Sequence, residues 1–559
     1  MATNQTAQLK AVLTSISKEG LARISRVRRA LLIFAAIILP VAKAQTPHAI
    51  PHLSREQNAY HFYVDDKPYL ILGGQVHNSS ATNPEDLKAA MDSVSAFHGN
   101  TVEVPVSWEL IEPAQGQFDF HLIDEMLDQA RAHNLRVVLL WFGTWKNAWM
   151  SYTPEWVKRD PRQYQRAVDV SGNQMGALSA FSETARNADS HAFQEVMKHV
   201  KEKDESRRTV IMVQVENETG YLGTDRDHSP EANSAYQQSP SPELLSYLET
   251  HHRSLPPALA KVLEKSSSST ELKNWRDYFG ALAPEAFSAW YVAKYVDSVA
   301  AAGKQVYPLP MYANDWLMGQ DSERAGRWPS GGPTANVIDI WKAAAPHIDL
   351  VAPDIYNPDF FDSVAAYVRD DNALFVPEII ADAHWAGAVF PSLAQCNAIG
   401  FSPFGIDDWF EDGKLKPVAQ PFADHYRILQ QLLPLIAKYQ GTGFLHGFVQ
   451  DESNGKIIRL GRTEQTVAAV GYTRLYDPKG ALGAGLILEL GPEDFVVAGA
   501  NIEVIFRAME GPLRDRVPLT IEDGRFDGER WISTRRLNGD EFEVKLPEAG
   551  GIRRIRLLE

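Results

Sequence analysis

Thr209-Val-Ile-Met-Val-Gln-Val-Glu-Asn-Glu-Thr-Gly220 begins with a nearly continuous apolar, β-branched run and ends in two glutamates and a glycine. The run Val210–Val215 predicts a strand that is buried on both faces, as the strands of parallel sheets are. Glu216 and Glu218 follow directly where this strand ends. Because α/β barrels carry their chemistry at the carboxyl ends of their strands, these acidic side chains are predicted to lie at a functional face.

Strand-like runs alternate with helical periodicity on both sides of this stretch. The predicted strands are Tyr69–Gln75, Thr101–Trp108, Arg136–Phe142, Val210–Val215, Gln305–Tyr312, Ile348–Tyr356, Leu374–Glu378 and Ala398–Phe404. The predicted helices include Leu87–Phe97, Ile123–His133, Phe193–Lys201, Pro284–Ala302 and Ala423–Leu433, the last of which is stopped by Pro434. Eight alternations predict an α/β fold, a (β/α)8 TIM barrel over residues 45–440. Two segments, 143–190 and 221–280, are predicted as long loops, the second with helices around Pro242–Leu248 and Ala258–Glu264.

The pattern changes after about Gly441. Short apolar or alternating runs such as Lys456–Leu460 and Gly485–Leu490 are bounded by Gly, Pro, Asn and Asp. Asn538-Gly-Asp540 predicts a β-hairpin turn. Residues 441–559 are therefore predicted to form a small C-terminal β-sandwich.

Residues 1–44 have the order of a secretory signal peptide. Several arginines precede the apolar run Ala30–Val41, and Ala42-Lys43-Ala44 is a small-x-small cleavage site. The run is short for a bilayer span. We therefore expect a secreted or periplasmic protein with no membrane association after cleavage, with an uncleaved anchor as the alternative.

Composition excludes several classes of protein. The chain has 559 residues and a formal net charge of −16, which argues for two or three domains and against nucleic-acid binding. The single cysteine, Cys396, excludes an intramolecular disulfide and is predicted to be a buried thiol rather than a nucleophile. No metal-ligand spacing, phosphate-binding glycine loop or nucleophile elbow occurs, so no metal or cofactor is expected.

Two glutamates are the candidate catalytic pair. Glu218 follows the predicted fourth strand and Glu378 ends the seventh, so both are expected at the mouth of one barrel. Glycoside hydrolysis needs two carboxyl groups, which lie about 5–5.5 Å apart in retaining enzymes. We predict Glu218 as the acid/base and Glu378 as the nucleophile, with burial and the Glu378 charge holding Glu218 protonated. Glu216 is either a supporting partner of Glu218 or a buried, hydrogen-bonded carboxylate.

Three segments also resemble a known family. Val213–Gly220 resembles the acid/base motif of glycoside hydrolase family 35 β-galactosidases, Gly99–Phe120 its second-strand signature, and Gly73–His77 its first-strand end. The resemblance spans roughly residues 60–410 and is strongest to a bacterial branch with a short C-terminal sandwich and xyloglucan-active members. It implies a retaining exo-β-galactosidase that releases terminal galactose from plant oligo- or polysaccharide side chains, and it implies that Asn217 contacts the 2-hydroxyl of the sugar.

Several further side chains are candidate substrate contacts. These are Gln75, His77, Trp108, Lys146, Asn147, Asn314, Tyr356 and Trp409. Gln75 and His77 end the first strand and are expected to line the floor of the site. The other residues have structural alternatives: core packing for the aromatic residues, solvation for Lys146, and capping of a turn or helix for the asparagines. The family pattern has a carboxylate after the third strand, where this chain has Lys146 and Asn147, and Pro105 stands where the family has a tyrosine.

Two other functions remain open at this stage. One is a barrel glycosidase of another specificity, such as a β-glucosidase or an endo-glycanase. The other is a non-catalytic glycan-binding protein on a degenerate barrel, which the presence of both Glu218 and Glu378 disfavours.

Overall fold

A computed structural model describes residues 49–266, 272–318, 324–357, 359–450, 455–462, 466–473, 480–509 and 514–558. The predicted signal peptide, residues 1–44, lies outside the described residues. In the part of the chain that is described, no helix combines the length and apolarity that crossing a bilayer requires.

Eight parallel strands form the barrel. They are β1 (Ile71–Leu72), β2 (Thr101–Ser107), β3 (Arg136–Lys146), β4 (Val210–Asn217), β5 (Met311–Trp316), β6 (Leu350–Ile355), β7 (Phe375–Ile379) and β8 (Gly400–Pro403). Their order in the sheet is β1-β8-β7-β6-β5-β4-β3-β2. Gln75, beyond β1, pairs with both Glu103 of β2 and Phe404 after β8, and Glu103 N donates to Gly74 O at 2.9 Å. These bonds close the sheet, and the predicted (β/α)8 fold is confirmed.

A helix follows each strand and covers the outside of the sheet. These helices are α1 (Pro84–Ala96), α2 (His121–Ala132), α3 (Glu183–Asp204), α4 (Ala283–Val306), α5 (Ile338–Ala344), α6 (Phe360–Ala365), α7 (Val389–Ala394) and α8 (Gln420–Leu429). Asn83 begins α1 as an N-cap, accepting a hydrogen bond from Asp86 N, and Pro84 occupies the first helical position, where no N–H is needed.

Two element predictions were wrong at their ends. The fifth strand begins at Met311 rather than Gln305, because α4 continues to Val306 and Pro308 and Pro310 cannot donate to a strand ladder. Pro434 does not end the helical region. It lies in the first turn of a further helix, Leu433–Tyr439, where proline is tolerated.

Both predicted loops contain secondary structure. The first holds a short helix, Glu155–Lys158, and a hairpin, Arg166–Val168 with Gln174–Leu178. The helices in the second are Pro230–Tyr236, Pro242–Thr250, Pro257–Ser266 and Trp275–Phe279.

A small antiparallel sheet closes the amino-terminal end of the barrel. Its strands are His52–Glu56, Ala59–Val64 and Lys67–Pro68. Phe62 and Val64 pack in one buried cluster with Val138, Ile211 and other residues from the first halves of the barrel strands. The barrel is thus filled from below, and its functional end is the carboxyl end of the strands.

The C-terminal region is an antiparallel β-sandwich, as predicted. Its larger sheet consists, in order, of Leu445–Val449, Ala484–Gly491, Asp494–Ala500, Gly551–Leu557, Pro518–Asp527 and Arg530–Arg536. The second contains Gly455–Arg459, Thr466–Tyr472, Ile502–Ala508, Arg514–Asp515 and Lys545–Leu546. The predicted hairpin at Asn538 is wrong: Gly539–Glu541 form a 3₁₀ turn, and the hairpin in this region turns at Gly528, whose φ of 61° suits glycine.

The sandwich packs directly on the barrel. A Cβ at Gly447, in the first sandwich strand, would lie 2.5 Å from the carbonyl oxygen of Phe390 in α7. Residues Ala49–Glu559 form one compact unit. The boundaries proposed from sequence, 44/45 and 440/441, therefore stay predictions.

Candidate active site

A cavity of about 410 Å³ opens at the carboxyl ends of the barrel strands. Its lining consists of Asn78, Lys146, Asn147, Glu218, Trp316, Leu317, Asp354, Tyr356, Asn357, Glu378 and Phe404. Binding sites for small molecules are typically of this size. The structure thus brings Glu218 and Glu378, 160 positions apart in the chain, to one cavity.

Glu218 is held by contacts to its backbone and its side chain. Its φ of 45° and the φ of 64° at Glu216 are left-handed values that bend the chain at the end of β4. The Glu218 N–H donates to Asn314 Oδ1 at 2.9 Å, and Asn147 Nδ2 donates to Glu218 Oε2. Burial, followed by the charge of Glu378, raises the pKa of Glu218 to about 8, while Lys146 opposes this shift.

Glu378 lies within β7 and accepts hydrogen bonds at both carboxyl oxygens. Gln75 Nε2 donates to Oε2 at 2.9 Å, and the Tyr356 hydroxyl donates to Oε1. Burial and the adjacent carboxylate raise the pKa of Tyr356, so its hydroxyl remains a donor. Two donors fix the orientation of the Glu378 carboxylate.

Lys146 and Asn147 occupy the end of β3, where the family pattern has a carboxylate. The Lys146 side chain is buried, and its Nζ lies 5.1 Å from the centre of the Phe142 ring. Asn147 has a left-handed φ of 52°, which asparagine tolerates better than most residues. Both line the cavity, so the solvated alternative for Lys146 is wrong.

Two tryptophans do not contact the cavity, which corrects their prediction as sugar contacts. Trp108 is fully buried, donates its Nε1–H to Glu112 Oε2 at 2.9 Å and packs edge-on against Trp156. Trp409 is 2% exposed and packs against the rings of Phe97 and Phe422. Both are core residues, because every face of their rings is covered by protein.

His77 and Asn314 also lie outside the lining. His77 Nδ1 is 2.9 Å from Asp407 Oδ1, and its ring meets the cavity residue Phe404 edge-on. Asn314 bridges the Glu218 backbone and Asp354, to which its Nδ2 donates at 2.6 Å. The prediction that His77 and Asn314 contact the substrate is therefore wrong for this cavity. Both side chains instead support residues that line it.

Asn217 is fully buried at the end of β4. Neither its Nδ2 nor its Oδ1 has a hydrogen-bond partner among the described residues. Its contact with a sugar hydroxyl stays a prediction.

Two lining residues with clear chemistry are Asp354, which was not singled out from the sequence, and Trp316, which belongs to the segment 314–316 predicted at the functional face. Asp354 pairs in register with Glu378 across the β6–β7 ladder, so the two carboxyl groups lie side by side. Trp316, at the end of β5, is 37% exposed and presents an aromatic surface to the cavity. A signal for Asp354 was available, since it precedes the cavity residue Tyr356 by two positions and shares its side of the strand.

Glu216 points away from the cavity into a buried polar cluster. Its Oε2 accepts from Trp145 N at 2.7 Å, and its side chain lies within hydrogen-bonding reach of Asp189. Asp189 in turn accepts from Trp141 Nε1 at 2.9 Å and from the Thr144 hydroxyl at 2.6 Å. Burial raises the pKa of Glu216 well above its usual value. Glu216 therefore anchors the end of β4 behind Glu218.

No group of three or more His, Cys, Asp or Glu side chains in the described ranges is arranged to hold a metal ion. Burial raises the pKa of the Cys396 thiol to about 11, so it remains protonated and is a poor nucleophile.

Comparison with known proteins agrees with the geometry. Residues 78–277 match the model of glycoside hydrolase family 42, described as beta-galactosidase, and residues 422–546 match a domain of unknown function, DUF5597. Residues 78–277 are thus similar to a glycoside hydrolase family that is described as beta-galactosidase. The expected resemblance to a β-galactosidase is thereby confirmed, although the matches do not distinguish families 35 and 42.

The relatives that the chain resembles match only part of it. The beta-galactosidase of Xanthomonas manihotis is 29% identical over 190 residues, which cover 29% of this chain and 31% of the relative. The beta-galactosidase-1-like protein 3 of Homo sapiens is 29% identical over 189 residues, which cover 33% of this chain and 27% of the relative. The chain thus matches less than a third of the length of each relative.

Two solved structures are similar at low identity. The beta-galactosidase from the psychrophilic Marinomonas ef1 has a TM-score of 0.45 and 14% identity, covering 66% of this chain and 61% of that chain. The catalytic domain of beta-amylase from Paenibacillus polymyxa has a TM-score of 0.46 and 13% identity, covering 64% and 97%. The fold assignment rests on the sheet topology of the chain itself.

Proposed function

We propose that the protein is a retaining exo-β-galactosidase in which Glu378 is the nucleophile and Glu218 the acid/base. The observation that carries this proposal is the shared cavity of Glu218 and Glu378, with two donors on Glu378 and a buried Glu218 whose pKa is raised. In glycosidases, one carboxyl group acts as the anion and the other as the acid because their environments shift their pKa values apart.

In the first step, the Glu378 carboxylate attacks the anomeric carbon while Glu218 gives its proton to the leaving oxygen. A covalent glycosyl-enzyme forms and the glycosidic bond breaks. Tyr356 and Gln75 hold Glu378 in one orientation before the attack. The raised pKa of Glu218 keeps its proton available at neutral pH.

In the second step, Glu218, now a carboxylate, takes a proton from a water molecule that attacks the same carbon from the other side. Glu378 is released and the sugar leaves with its original configuration. Asn147 and Lys146 lie beside Glu218 and favour the charged form that this step requires.

The substrate proposed is a terminal β-galactoside on a plant oligo- or polysaccharide side chain. It is supported by the family match, by the motif around Glu218 and by Trp316, whose exposed ring can stack on a pyranose. The alternative is a barrel glycosidase with another specificity, since stacking and carboxyl chemistry are common to all of them. Secretion into the periplasm or medium, proposed from residues 1–44, is tested by cell fractionation with and without that segment.

A panel of p-nitrophenyl β-glycosides tests specificity and the two roles together. We expect galactoside to be the best substrate, and Glu378→Gln to abolish turnover on every substrate. Glu218→Gln should lower kcat/KM about 10²–10⁴-fold on disaccharides. The loss in kcat/KM should be much smaller on p-nitrophenyl galactoside, because its leaving group needs no proton. A preference for glucoside would favour the alternative, and full activity of Glu378→Gln would refute the mechanism.

Azide rescue separates the roles by stereochemistry. With azide, Glu378→Gly should give the α-galactosyl azide by direct displacement, and Glu218→Gly the β-galactosyl azide by way of the covalent intermediate. The reverse pattern would exchange the assignments. An initial α-anomeric product from the unmodified enzyme would exclude retention.

A further inference from the structure

A third carboxyl group lies in the cavity beside the proposed catalytic pair. Asp354 is 2% exposed and lines the same cavity as Glu218 and Glu378. It stands next to Glu378 across the β6–β7 ladder. Three carboxyl groups in one partly buried site cannot all be ionised without large mutual repulsion, so the distribution of protons among them matters.

The two oxygens of Asp354 have different surroundings. Oδ2 accepts a hydrogen bond from Asn314 Nδ2 at 2.6 Å, whereas Oδ1 is buried and receives no donor from the described residues. The Asp354 side chain also lies within hydrogen-bonding reach of the Glu218 side chain. Two carboxyl groups can bond in this way only when one of them carries a proton.

The surroundings of Asp354 indicate that it carries a proton of its own, in addition to the proton on Glu218, because it is buried and stands in register with the Glu378 carboxylate. Glu218 receives a donor from Asn147, and its backbone is fixed by Asn314, so its carboxylate form is partly satisfied. As an anion, Asp354 would be a buried charge beside the Glu378 carboxylate with a donor at only one oxygen, which is costly, whereas as an acid it has a hydrogen that it can donate to Glu218.

We propose that Asp354 is a positioning residue that stays protonated through the reaction and donates its O–H to the Glu218 carboxyl. This inference rests on the proposed function of Glu218. When Glu218 has given up its proton, the Asp354 O–H stabilises the resulting carboxylate until water restores the proton. The Asp354 proton itself is not transferred, so the balance of the two steps is unchanged.

The charged and titratable groups around this pair come from several strands. Those acting on Glu218 are Glu378, Lys146, Asp315 and Asp354. Those acting on Asp354 are Glu378, Glu218 and Lys146, and the hydroxyls of Tyr312, Tyr356 and Tyr367 lie within its field. Lys146 is the one cation in this set, and it acts on both members of the pair.

Two substitutions separate donation from charge. Asp354→Asn keeps a donor of similar shape, whereas Asp354→Ala removes it. We expect the basic limb of the kcat/KM profile to stay within about 0.3 pH unit in Asp354→Asn and to move up by about one unit in Asp354→Ala, since loss of a donor disfavours the Glu218 carboxylate. Asp354→Ala should also lose about 10–100-fold in kcat/KM.

Asp339→Asn is a matched control, because Asp339 is a buried aspartate that pairs with Arg369 outside the cavity. It should leave the pH profile in place. A basic limb that moves to lower pH in Asp354→Asn would show that Asp354 acts as an anion and would overturn the proposal. That comparison stands even if Asp354→Ala does not fold.

Infrared difference spectroscopy gives a readout that needs no substrate. At pH 7, Asp354→Asn should remove one protonated-carboxyl band, and retention of all such bands would overturn the proposal. Loss of the band in a protein that cleaves no β-galactoside would instead refute only the proposed function, so the two failures are distinguishable.

Discussion

Replacing Asn147 by glycine should weaken the proposed acid/base residue without straining the backbone. Asn147 Nδ2 donates to Glu218 Oε2, and Asn147 itself has a φ of 52°. A hydrogen bond to a charged group is worth about 1.5–3 kcal/mol, which corresponds to roughly 10–150-fold in kcat/KM. Since the donor favours the Glu218 carboxylate, its loss should also move the basic limb of the pH profile upward by about one unit.

Comparison with Asn147→Ala isolates the backbone contribution. Alanine removes the same donor but adds a Cβ in a left-handed conformation, at a cost of about 1–2 kcal/mol. We therefore expect Asn147→Ala to unfold at lower urea concentration than Asn147→Gly, the reverse of the usual order of alanine and glycine. Equal kinetic defects with unequal stabilities would establish the two effects as separate.

The assay is kcat/KM for a galactosyl disaccharide, whose leaving group needs the Glu218 proton, from pH 5 to 10, with urea unfolding of each variant. Ala148→Gly is the matched control, because Ala148 is the next residue, has a φ of 62° and makes no side-chain bond to Glu218. Its pH profile should equal that of the unmodified protein. Wild-type kcat/KM and an unshifted basic limb in Asn147→Gly would refute the reasoning.

Three further predictions concern stacking, support and pH-dependent stability. Trp316→Ala should raise KM about tenfold with a smaller change in kcat, measured on galactosylated oligosaccharides, because its exposed ring offers a stacking surface; an unchanged KM would contradict this. Asn314→Ala should lower the free energy of unfolding by about 2–5 kcal/mol in urea titrations, because it breaks buried bonds to Glu218 N and Asp354 Oδ2. Burial raises the pKa of Glu103 from 4.5 to about 8. Its contribution to the free energy of unfolding is therefore complete below pH 4.5 and is lost as the pH rises toward 8. Glu103→Gln should thus reduce the fall in stability between pH 5 and 8 by up to a few kcal/mol, at about 1.4 kcal/mol per pKa unit. An equally steep fall in the variant and in the unmodified protein would exclude Glu103 as its source.

The burial of Glu103 limits the negative charge near the cavity. Its carboxyl accepts from the Tyr312 hydroxyl at 3.1 Å inside the barrel and feels the charge of Glu378. A carboxylic acid kept neutral at this depth supplies polar contacts beneath the cavity without adding another charge to it.

The barrel and its two proposed catalytic glutamates followed from the sequence because both depend on short-range patterns. Buried parallel strands are continuous apolar runs, and Val210–Val215 is one of them. Once eight such runs were counted, the ends of the fourth and seventh strands necessarily faced one opening. Glu218 and Glu378 could therefore be paired without knowledge of any side-chain contact.

The surroundings of those glutamates were decided by tertiary structure. Asp354 lay unrecognised inside a predicted strand, because its proximity to Glu378 depends on the register between β6 and β7, which local periodicity does not encode. Asn147 meets Glu218 only because the chain takes left-handed conformations at the ends of β3 and β4. Trp108 was misassigned for the same reason, since a tryptophan beside a strand end is apolar and large whether it faces a sugar or the core. Sequence fixes which residues reach the rim of the barrel, whereas packing and register determine which of them turn inward.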